Sequence, residues 1–389
     1  MKQIRYIIAI LLFLCAILNA QQIIRWIVIV EVPLETPKDA EVYIAGNFNL
    51  WNPADQLYKL IPVRTGLYTL TMNMNIDDVE FKFTLGSWDK VEVLSNNEDR
   101  PNRIEKFKNV IIKETYKVEA WANREHRSTM TGNIKIIEDF TMPQLERTRC
   151  LRVYLPPGYG NSLKRYPVMY MHDGQNLFSD ATAYSGEWGI DETLEKMIKK
   201  KEIPKMIVVG IDNHSRYRLN EYTPFPFEYH GQEIDAEAQL YGRFLVETLK
   251  PYIDKHYRTK KGRKFTAVSG SSMGGLVSVY LALEYQEIFS KVGALSSAFG
   301  VCRDDLIGFI AQHPKEYPIR FWLDAGTEEG ENMKIETNQI QIRNALIAAG
   351  WEDSSEVIFK IYEGAEHHES YWRQRFGDVL EFLWDKKHF

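Results

Sequence analysis

The chain has 389 residues, of which 44% are hydrophobic, and its formal net charge is −5. This length exceeds one ordinary domain and suits two, and the apolar fraction is sufficient for a substantial core. Because a mildly negative charge implies no basic face, we expect no nucleic-acid partner.

The N-terminus has the pattern of an export signal. Lys2 and Arg5 are followed by the apolar run YIIAILLFLCAILNA, which is too short to span a bilayer and ends on small residues. This pattern predicts a signal peptide over residues 1–20, hence a secreted or periplasmic protein with no membrane anchor after cleavage. The alternative is a buried N-terminal strand or an anchor.

Two cysteines remain after cleavage, Cys150 and Cys302. Two are too few for a scaffold built on disulfides, and the sequence leaves open whether they pair or are buried thiols. Because no cysteine or histidine cluster has metal-ligand spacing, we expect no metal and no cofactor.

Residues 21–122 are predicted to be all-β. Short runs rich in β-branched and aromatic residues alternate with turn residues, as in IIRWIVIVEV, AEVYIAG, LYTLTMNM, VEFKFTLG and IIKETYKVEAW. This spacing predicts an immunoglobulin-like β-sandwich. The polar stretch 123–133 is predicted to be a linker.

Residues 134–389 have an α/β rhythm. Predicted strands are CLRVYLPPGY, YPVMYMHDG, KMIVVGID, KFTAVSG, KVGALSSAF, IRFWLDAG and VIFKIYEG. Helix-like segments lie between them at 188–201, 235–255, 274–287, 334–350 and 369–387. The alternation predicts a doubly wound, mostly parallel sheet covered by helices on both faces.

A candidate nucleophile lies between a predicted strand and a predicted helix. Gly270-Ser271-Ser272-Met273-Gly274 fits the pattern G-x-S-x-G with Ser272 at its centre. A sharp strand-to-helix turn strains the central residue and needs small neighbours to close. We therefore favour Ser272 over Ser271, although glycine and serine also occur together in plain turns.

A serine nucleophile needs a base, and in doubly wound hydrolases the base is a histidine after the last strand. His367 and His368 follow VIFKIYEG. We favour His367 because it lies on the loop before the final helix. The alternative for either residue is a solvated loop histidine.

The orienting acid is expected after the preceding strand, IRFWLDAG. Glu328 and Glu329 both occupy the following loop, and we favour Glu329. Asp324 is predicted to lie too deep in the strand.

Two N–H groups are needed to stabilise the oxyanion that forms on the substrate. Met273, directly after the nucleophile, provides the first candidate. The loop after YPVMYMH provides the second, and we assign it to the backbone of Gln175. His172 and Asp173 are predicted to hold that loop by hydrogen bonds.

The C-terminal part resembles the esterase branch of the α/β-hydrolases that includes enterochelin esterase-like proteins and feruloyl and acetylxylan esterases. The matching pieces are MHDGQNLF, PYIDKHYRT, SGSSMGG, LDAGTEEG and GAEHHESYWRQRF. In that family the catalytic histidine falls in an H-x-E-x-x-W pattern, which here implies His367, Glu369 and Trp372. Some members of that family use only a Ser–His dyad. The resemblance therefore supports Glu329 as the acid less strongly than it supports His367 as the base.

The N-terminal part resembles starch- and glycogen-binding modules through VYIAGNFNLWNPAD, FKFTLGSW and DRPNR. Such modules stack aromatic rings on sugars, and the resemblance makes Trp51 and Trp88 candidate platforms. The alternative is that both tryptophans are core residues.

Together these features predict a secreted serine esterase that removes acetyl or feruloyl groups from plant polysaccharide. One alternative is an esterase of siderophores or other small molecules. Another is an inactive glycan-binding protein. The aromatic loop 213–233 follows a strand on the expected active-site side, and Arg216 within it is a candidate contact for an acidic substrate.

Overall fold

The computed structural model describes residues 23–74, 78–122, 128–229, 231–330 and 334–385. The predicted signal peptide lies outside these residues. The chain divides into two compact units, Met1–Asn123 and Arg124–Phe389. Within the described residues no helix is long and apolar enough to cross a membrane, and no cluster of acidic, histidine or cysteine side chains is arranged to hold a metal ion.

The N-terminal unit consists of short β-strands: β1 (Ile24–Glu31), β2 (Tyr43–Gly46), β3 (Ile61–Arg64), β4 (Leu67–Met74), β5 (Asp78–Thr84), β6 (Glu92–Val93), β7 (Arg103–Lys106), β8 (Ile111–Lys117) and β9 (Ala120–Trp121). They form sheets of order β3-β4-β1-β8, β2-β5-β7 and β6-β9. Alternate residues of β1, including Trp26 and Val28, are buried against Phe81 and Phe83 of β5. Burial between two sheets is the packing of a β-sandwich.

The described residues of the C-terminal unit form ten strands: β10 (Asn133–Met142), β11 (Arg147–Leu155), β12 (Val168–His172), β13 (Ile207–Ile211), β14 (Phe227–Tyr229), β15 (Gln232–Ile234), β16 (Thr266–Ser271), β17 (Lys291–Leu295), β18 (Arg320–Gly326) and β19 (Val357–Tyr362). Eight form one sheet of order β10-β11-β13-β12-β16-β17-β18-β19, and β14 pairs with β15. Within this sheet β13, β12, β16, β17, β18 and β19 run parallel, whereas β11 is antiparallel to both neighbours.

The helices of this unit are α1 (Ile190–Lys199), α2 (Arg218–Tyr222), α3 (Ala238–Arg243), α4 (Lys250–His256), α5 (Met273–Glu284), α6 (Arg303–Gln312), α7 (Ile335–Ala348) and α8 (Glu369–Trp384), with a π-helical segment Phe244–Leu249 joining α3 to α4. Successive residues of β12 enter different cores, Tyr170 on one face and Met171 on the other. Because both faces of the central strands are buried under helices, β12, β13 and β17 are largely apolar along their length, as predicted.

The structure confirms the predicted fold class and differs from the prediction at strand β10, at helix α6, and in the predicted loop 213–233, which contains α2, β14 and part of β15. Strand β10 was not predicted, because it is a largely exposed edge strand with charged residues and a bulge at Asp139. It begins at Asn133, inside the predicted linker 123–133. Helix α6 was also not predicted. Cys150 and Cys302 are both free thiols, so they do not pair.

Candidate active site

Ser272 occupies a strained turn between β16 and α5. Its backbone has φ 55° and ψ −124°, a conformation that residues with a side chain rarely adopt. The neighbouring Ser271 is the last residue of β16 and is buried, whereas Ser272 is partly exposed. Of the two serines, Ser272 therefore occupies the apex of the turn.

The glycines around Ser272 are required by close packing. A Cβ atom on Gly270 would lie 2.8 Å from the carbonyl carbon of Gly274, and one on Gly275 would lie 2.1 Å from Ser297 Oγ. Both distances are too short for any side chain. Gly270, a glycine of the predicted pattern, thus allows β16 and α5 to approach each other, whereas Gly275 lies beyond the pattern and leaves room for the segment after β17.

Glu329 is a buried carboxylate in hydrogen-bonding contact with His367. His367 Nδ1 lies 3.2 Å from Glu329 Oε2, and Glu329 Oε1 accepts hydrogen bonds from Ser296 Oγ at 2.6 Å and from the Gly326 N–H at 2.5 Å. Burial alone would raise the pKa of Glu329, but its hydrogen bonds to His367, Ser296 and the Gly326 N–H outweigh it and hold the pKa below its ordinary value. The carboxylate is therefore kept ionised.

The two other acidic candidates have different environments. Glu328 is exposed to solvent. Asp324 is fully buried inside β18 and bonds to Trp322, to the Ser296 N–H and to Arg375. Burial raises the pKa of Asp324 to about 6 despite the opposing influence of Arg375. Of the three acids, only Glu329 has a hydrogen bond to His367 in the described part of the chain.

The two adjacent histidines have different roles in the local structure. His367 packs edge-on against the indole of Trp372, with ring centroids 5.1 Å apart. His368 is the N-cap residue of α8, and its Nδ1 accepts a hydrogen bond from the Ser370 N–H at 3.2 Å. Because His368 uses this nitrogen to cap the helix, His367 is the better candidate for a base.

Ser272 connects to the Glu329–His367 pair through the neighbouring strand. The Ser272 N–H donates to the carbonyl oxygen of Leu295, the last residue of β17, at 3.0 Å. The next residue, Ser296, donates its hydroxyl hydrogen to Glu329. Since β16, β17, β18 and β19 are adjacent and parallel, Ser272, Glu329 and His367 all follow strand ends at the same edge of the sheet.

The loop that carries Gln175 is fixed from several sides. Asp173 adopts a left-handed conformation with φ 56°, and its carboxylate accepts two hydrogen bonds from Arg218, at 2.9 and 2.8 Å, and one from Asn213. The Gln175 side chain accepts a hydrogen bond from the Asn213 N–H. His172 Nδ1 lies 2.9 Å from the hydroxyl of Tyr241. Asp173 and His172 thus hold the loop, as predicted.

This loop approaches the beginning of α5. A Cβ atom on Gly274 would lie 3.2 Å from His172 Cβ and 3.4 Å from Asp173 Oδ2. Met273 is the first residue of α5, where a backbone N–H has no acceptor within its own helix. The end of β12 therefore lies against the first turn of α5, and the two predicted oxyanion donors, Met273 and Gln175, belong to the segments that begin there.

Three site residues were missed by the sequence analysis. Ser296 directly follows a buried strand, and Arg375 lies three positions after Trp372 on the buried face of α8. Asn176 donates to Glu369 Oε1 at 3.3 Å, which ties the Gln175 loop to the first turn of α8. A polar residue directly after a buried strand and a charged residue in an apolar helical stripe are signals that could have identified the first two.

The remaining predicted binding residues are Trp51, Trp88 and Arg216. Trp51 and Trp88 belong to the N-terminal unit, where both are partly exposed and their ring centroids are 6.3 Å apart. Arg216 is exposed and its guanidinium lies 5.5 Å from the centre of the Tyr217 ring. Arg218, two positions further along the chain, instead forms two hydrogen bonds to the Asp173 carboxylate.

Comparisons with known proteins agree with this architecture. The family described as Putative esterase matches residues 143–383. The chain is 26% identical over 260 residues to an endo-1,4-beta-xylanase/feruloyl esterase of Xylanibacter ruminicola, which covers 65% of this chain and 31% of that protein. A stretch of 75 residues is 44% identical to an alpha-amylase of Niallia circulans, covering 19% of this chain and 6% of the amylase.

Among solved structures, the chain is similar to the enterobactin esterase of Shigella flexneri in the presence of enterobactin. The TM-score is 0.52 and the sequences are 13% identical, with 92% of each chain covered. At this identity the similarity concerns the fold. The family match extends over more than half of the chain and includes the segments that carry Ser272, Glu329 and His367. The chain therefore belongs to the Putative esterase family, a family of carboxylic ester hydrolases with the α/β-hydrolase fold.

Proposed function

We propose that the protein is a serine esterase that works through a covalent acyl-enzyme, with Ser272 as nucleophile, His367 as base and Glu329 as orienting acid. The observation that carries this proposal is the 3.2 Å contact between Glu329 and His367 at the sheet edge where Ser272 occupies its strained turn. A strained serine, a histidine and a buried carboxylate at one edge are the parts of a catalytic triad.

The proposed reaction has two halves. Ser272 Oγ attacks the ester carbonyl carbon while His367 accepts the hydroxyl proton, and Glu329 stabilises the imidazolium that forms. The N–H groups of Met273 and Gln175 stabilise the oxyanion. When this intermediate collapses, His367 transfers its proton to the leaving alcohol and an acyl-serine remains.

Water then completes the cycle. His367 removes a proton from a water molecule, and the resulting hydroxide attacks the acyl carbonyl. Collapse of the second intermediate releases the carboxylic acid, and the proton returns to Ser272 Oγ. The residues that take part in the two half-reactions belong to this chain, and the overall reaction consumes only the ester and water.

For the substrate we propose acetyl or feruloyl esters of plant polysaccharide. Support comes from the similarity to a xylanase/feruloyl esterase and from the short similarity to an alpha-amylase. The indoles of Trp51 and Trp88, inclined at 42° and partly exposed, offer apolar faces of the kind that stack on sugar rings. Export through the segment 1–20, which would give access to such a substrate, is part of the proposal.

A siderophore ester is the second candidate substrate. It is favoured by the likeness to the enterobactin esterase, which covers 92% of this chain, including most of its N-terminal part. Under this alternative the β-sandwich binds no glycan, and Trp51 and Trp88 contribute only to packing within the N-terminal unit.

A substrate panel separates these candidates. Purified protein would be assayed on acetylated xylan, feruloylated arabinoxylan and ferric enterobactin, beside Ser272→Ala and the matched control Ser271→Ala. We expect release of acetate or ferulate by the parent and by Ser271→Ala, and none by Ser272→Ala. Release only from enterobactin would select the second candidate. If a fluorophosphonate probe failed to label the protein, the alternative of an inactive glycan-binding protein would replace both.

Sugar binding is tested separately in the Ser272→Ala background, where the polysaccharide is not hydrolysed. We expect the protein to be retained on insoluble xylan or starch, and the additional change Trp51→Ala or Trp88→Ala to weaken retention by about tenfold. Equal retention after both changes would contradict the role of the two indoles.

A further inference from the structure

The hydroxyl of Ser296 lies at the centre of a buried hydrogen-bond network behind the proposed acid. Ser296 directly follows β17 and is fully buried. Its Oγ lies 2.6 Å from Glu329 Oε1 and 2.9 Å from Trp372 Nε1, and Arg375 Nη2 is also in hydrogen-bonding contact. None of these contacts is exposed to solvent.

The chemistry of these partners determines where the hydroxyl hydrogen points. The indole N–H of Trp372 and the guanidinium of Arg375 are donors with no acceptor atom, so both must donate to Ser296 Oγ. The one acceptor among the three partners is Glu329 Oε1. Ser296 therefore donates its hydrogen to Glu329, because turning the hydrogen towards Trp372 or Arg375 would place it against a donor and remove one bond from the buried carboxylate.

This orientation constrains both oxygens of the carboxylate. Glu329 Oε1 receives the Ser296 hydroxyl and the Gly326 N–H, and Arg375 Nη2 lies 3.4 Å away. An ionised carboxylate only accepts hydrogen bonds, so three donors around Oε1 favour the ionised form. The second oxygen, Oε2, is left to face His367 Nδ1.

We propose that Ser296 is a positioning residue that keeps Glu329 ionised and directs one chosen oxygen of it at His367. The inference rests on the proposed triad, because Ser296 acts on the reaction only through Glu329. It touches neither substrate nor reacting atoms. Trp372 and Arg375 fix the hydroxyl hydrogen, and Ser296 in turn fixes the acid.

The backbone around Ser296 fits this role. Its φ is 42°, in the left-handed region, and its N–H bonds to Asp324 Oδ1 at 3.0 Å and to the Asp324 carbonyl oxygen at 3.2 Å. The residue is thus held to β18, the strand that leads into the Glu329 loop. A non-glycine residue in this region costs free energy, which the surrounding bonds offset.

The chain offers a matched control for removal of the hydroxyl. Ser269 on β16 is also fully buried, and its Oγ has no hydrogen-bond partner in the described part of the chain. For Ser296→Ala we expect kcat on p-nitrophenyl acetate to fall about 10-fold to 100-fold with KM changed less than about twofold. For Ser269→Ala we expect kcat and KM both within about twofold of the parent.

A double-mutant cycle shows whether Ser296 acts through Glu329. In the Glu329→Gln background, Ser296→Ala should lower kcat by less than about threefold, because the interaction it supports is already lost. A purely structural contribution would lower kcat equally in both backgrounds and would overturn the inference. A parent-like kcat for Ser296→Ala, when Ser272→Ala is inactive, would also overturn it. Full activity of Ser272→Ala would instead refute the proposed function itself.

A second variant applies if Ser296→Ala does not fold. Trp372→Phe keeps an aromatic ring beside His367 and removes the N–H that donates to Ser296 Oγ, together with part of the indole ring. We expect kcat to fall about threefold to tenfold, because the hydroxyl gains an alternative orientation. An unchanged kcat for a folded Trp372→Phe would contradict the proposed orientation.

Discussion

Glu329 Oε2 and His367 Nδ1 lie 3.2 Å apart although 38 positions separate the two residues in the chain. The contact exists because β18 and β19 are adjacent and parallel, so the loops that follow them emerge at the same edge of the sheet. Glu329 is buried, whereas the neighbouring Glu328 points into solvent. The fold thus selects one of two adjacent glutamates for contact with the histidine.

The first prediction concerns these two glutamates. Glu329→Gln should lower kcat by about 10³-fold to 10⁴-fold, because an amide cannot stabilise the imidazolium as a carboxylate does. Glu328→Gln, the matched control, should leave kcat and KM unchanged, since its side chain is exposed. Steady-state kinetics on p-nitrophenyl acetate measure both. A loss below about threefold for Glu329→Gln would indicate a Ser–His dyad in place of a triad.

The second prediction is that substitution of His367 affects activity, whereas substitution of the adjacent His368 affects stability. His367→Ala should abolish acyl transfer and leave the fold intact. His368→Ala should keep the activity and lower the free energy of unfolding by about 1 kcal/mol, because it removes the N-cap of α8. Kinetics and urea unfolding of both variants measure the two effects. The assignment would be reversed if His368→Ala were the inactive variant.

Much of this site could be predicted because it depends on local sequence. The elbow around Ser272 needs small residues at fixed spacing, and the base and acid follow identifiable strands. Ser296 and Arg375 escaped prediction because their roles depend on which side chains meet in three dimensions. No spacing along the chain shows that an arginine on α8 reaches a serine after β17.

The same distinction holds for the fold. Strands buried on both faces, such as β12 and β13, are almost entirely apolar and were predicted from that pattern. The edge strand β10 was not predicted, since solvent on its exposed side allows lysine, glutamate and aspartate along its length. The sequence of an edge strand therefore resembles that of a linker.

The third prediction concerns the loop that carries Gln175. Arg218→Met should lower the free energy of unfolding by about 2–4 kcal/mol, because it leaves the buried Asp173 carboxylate without its guanidinium partner. It should also lower kcat, since Asp173 fixes the turn before Gln175. Arg216→Met is the matched control, because Arg216 is exposed and should contribute little to stability. Equal stability of the two variants, measured by urea unfolding, would contradict a loop-holding role for Arg218.

The fourth prediction is a pH dependence of stability that arises from Lys291. This residue is 4% exposed, and its Nζ donates to the Lys264 carbonyl oxygen and lies near Ser290 Oγ. Burial, together with repulsion from nearby basic groups, lowers the pKa of Lys291 to about 7. The unfolded chain keeps this proton up to a pH of about 10.

Between these pH values the unfolded state binds more protons than the folded state, so the contribution of Lys291 to stability rises with pH. Lys291→Met should therefore be more stable than the parent at pH 7. Its advantage should shrink by up to about 1.4 kcal/mol per pH unit towards pH 9. Urea unfolding at several pH values measures the difference. If the difference in the free energy of unfolding between Lys291→Met and the parent did not change with pH, the lowered pKa of Lys291 would be contradicted.

The most direct measurement of the central claim is to trap the acyl-enzyme and locate the acyl group. Brief incubation with a slowly hydrolysed aryl ester, acid quenching, proteolysis and mass spectrometry identify the acylated residue. We predict one acyl group, on Ser272, with none when Ser272→Ala is treated in the same way. Acylation of Ser271, or undiminished ester hydrolysis by Ser272→Ala, would contradict it.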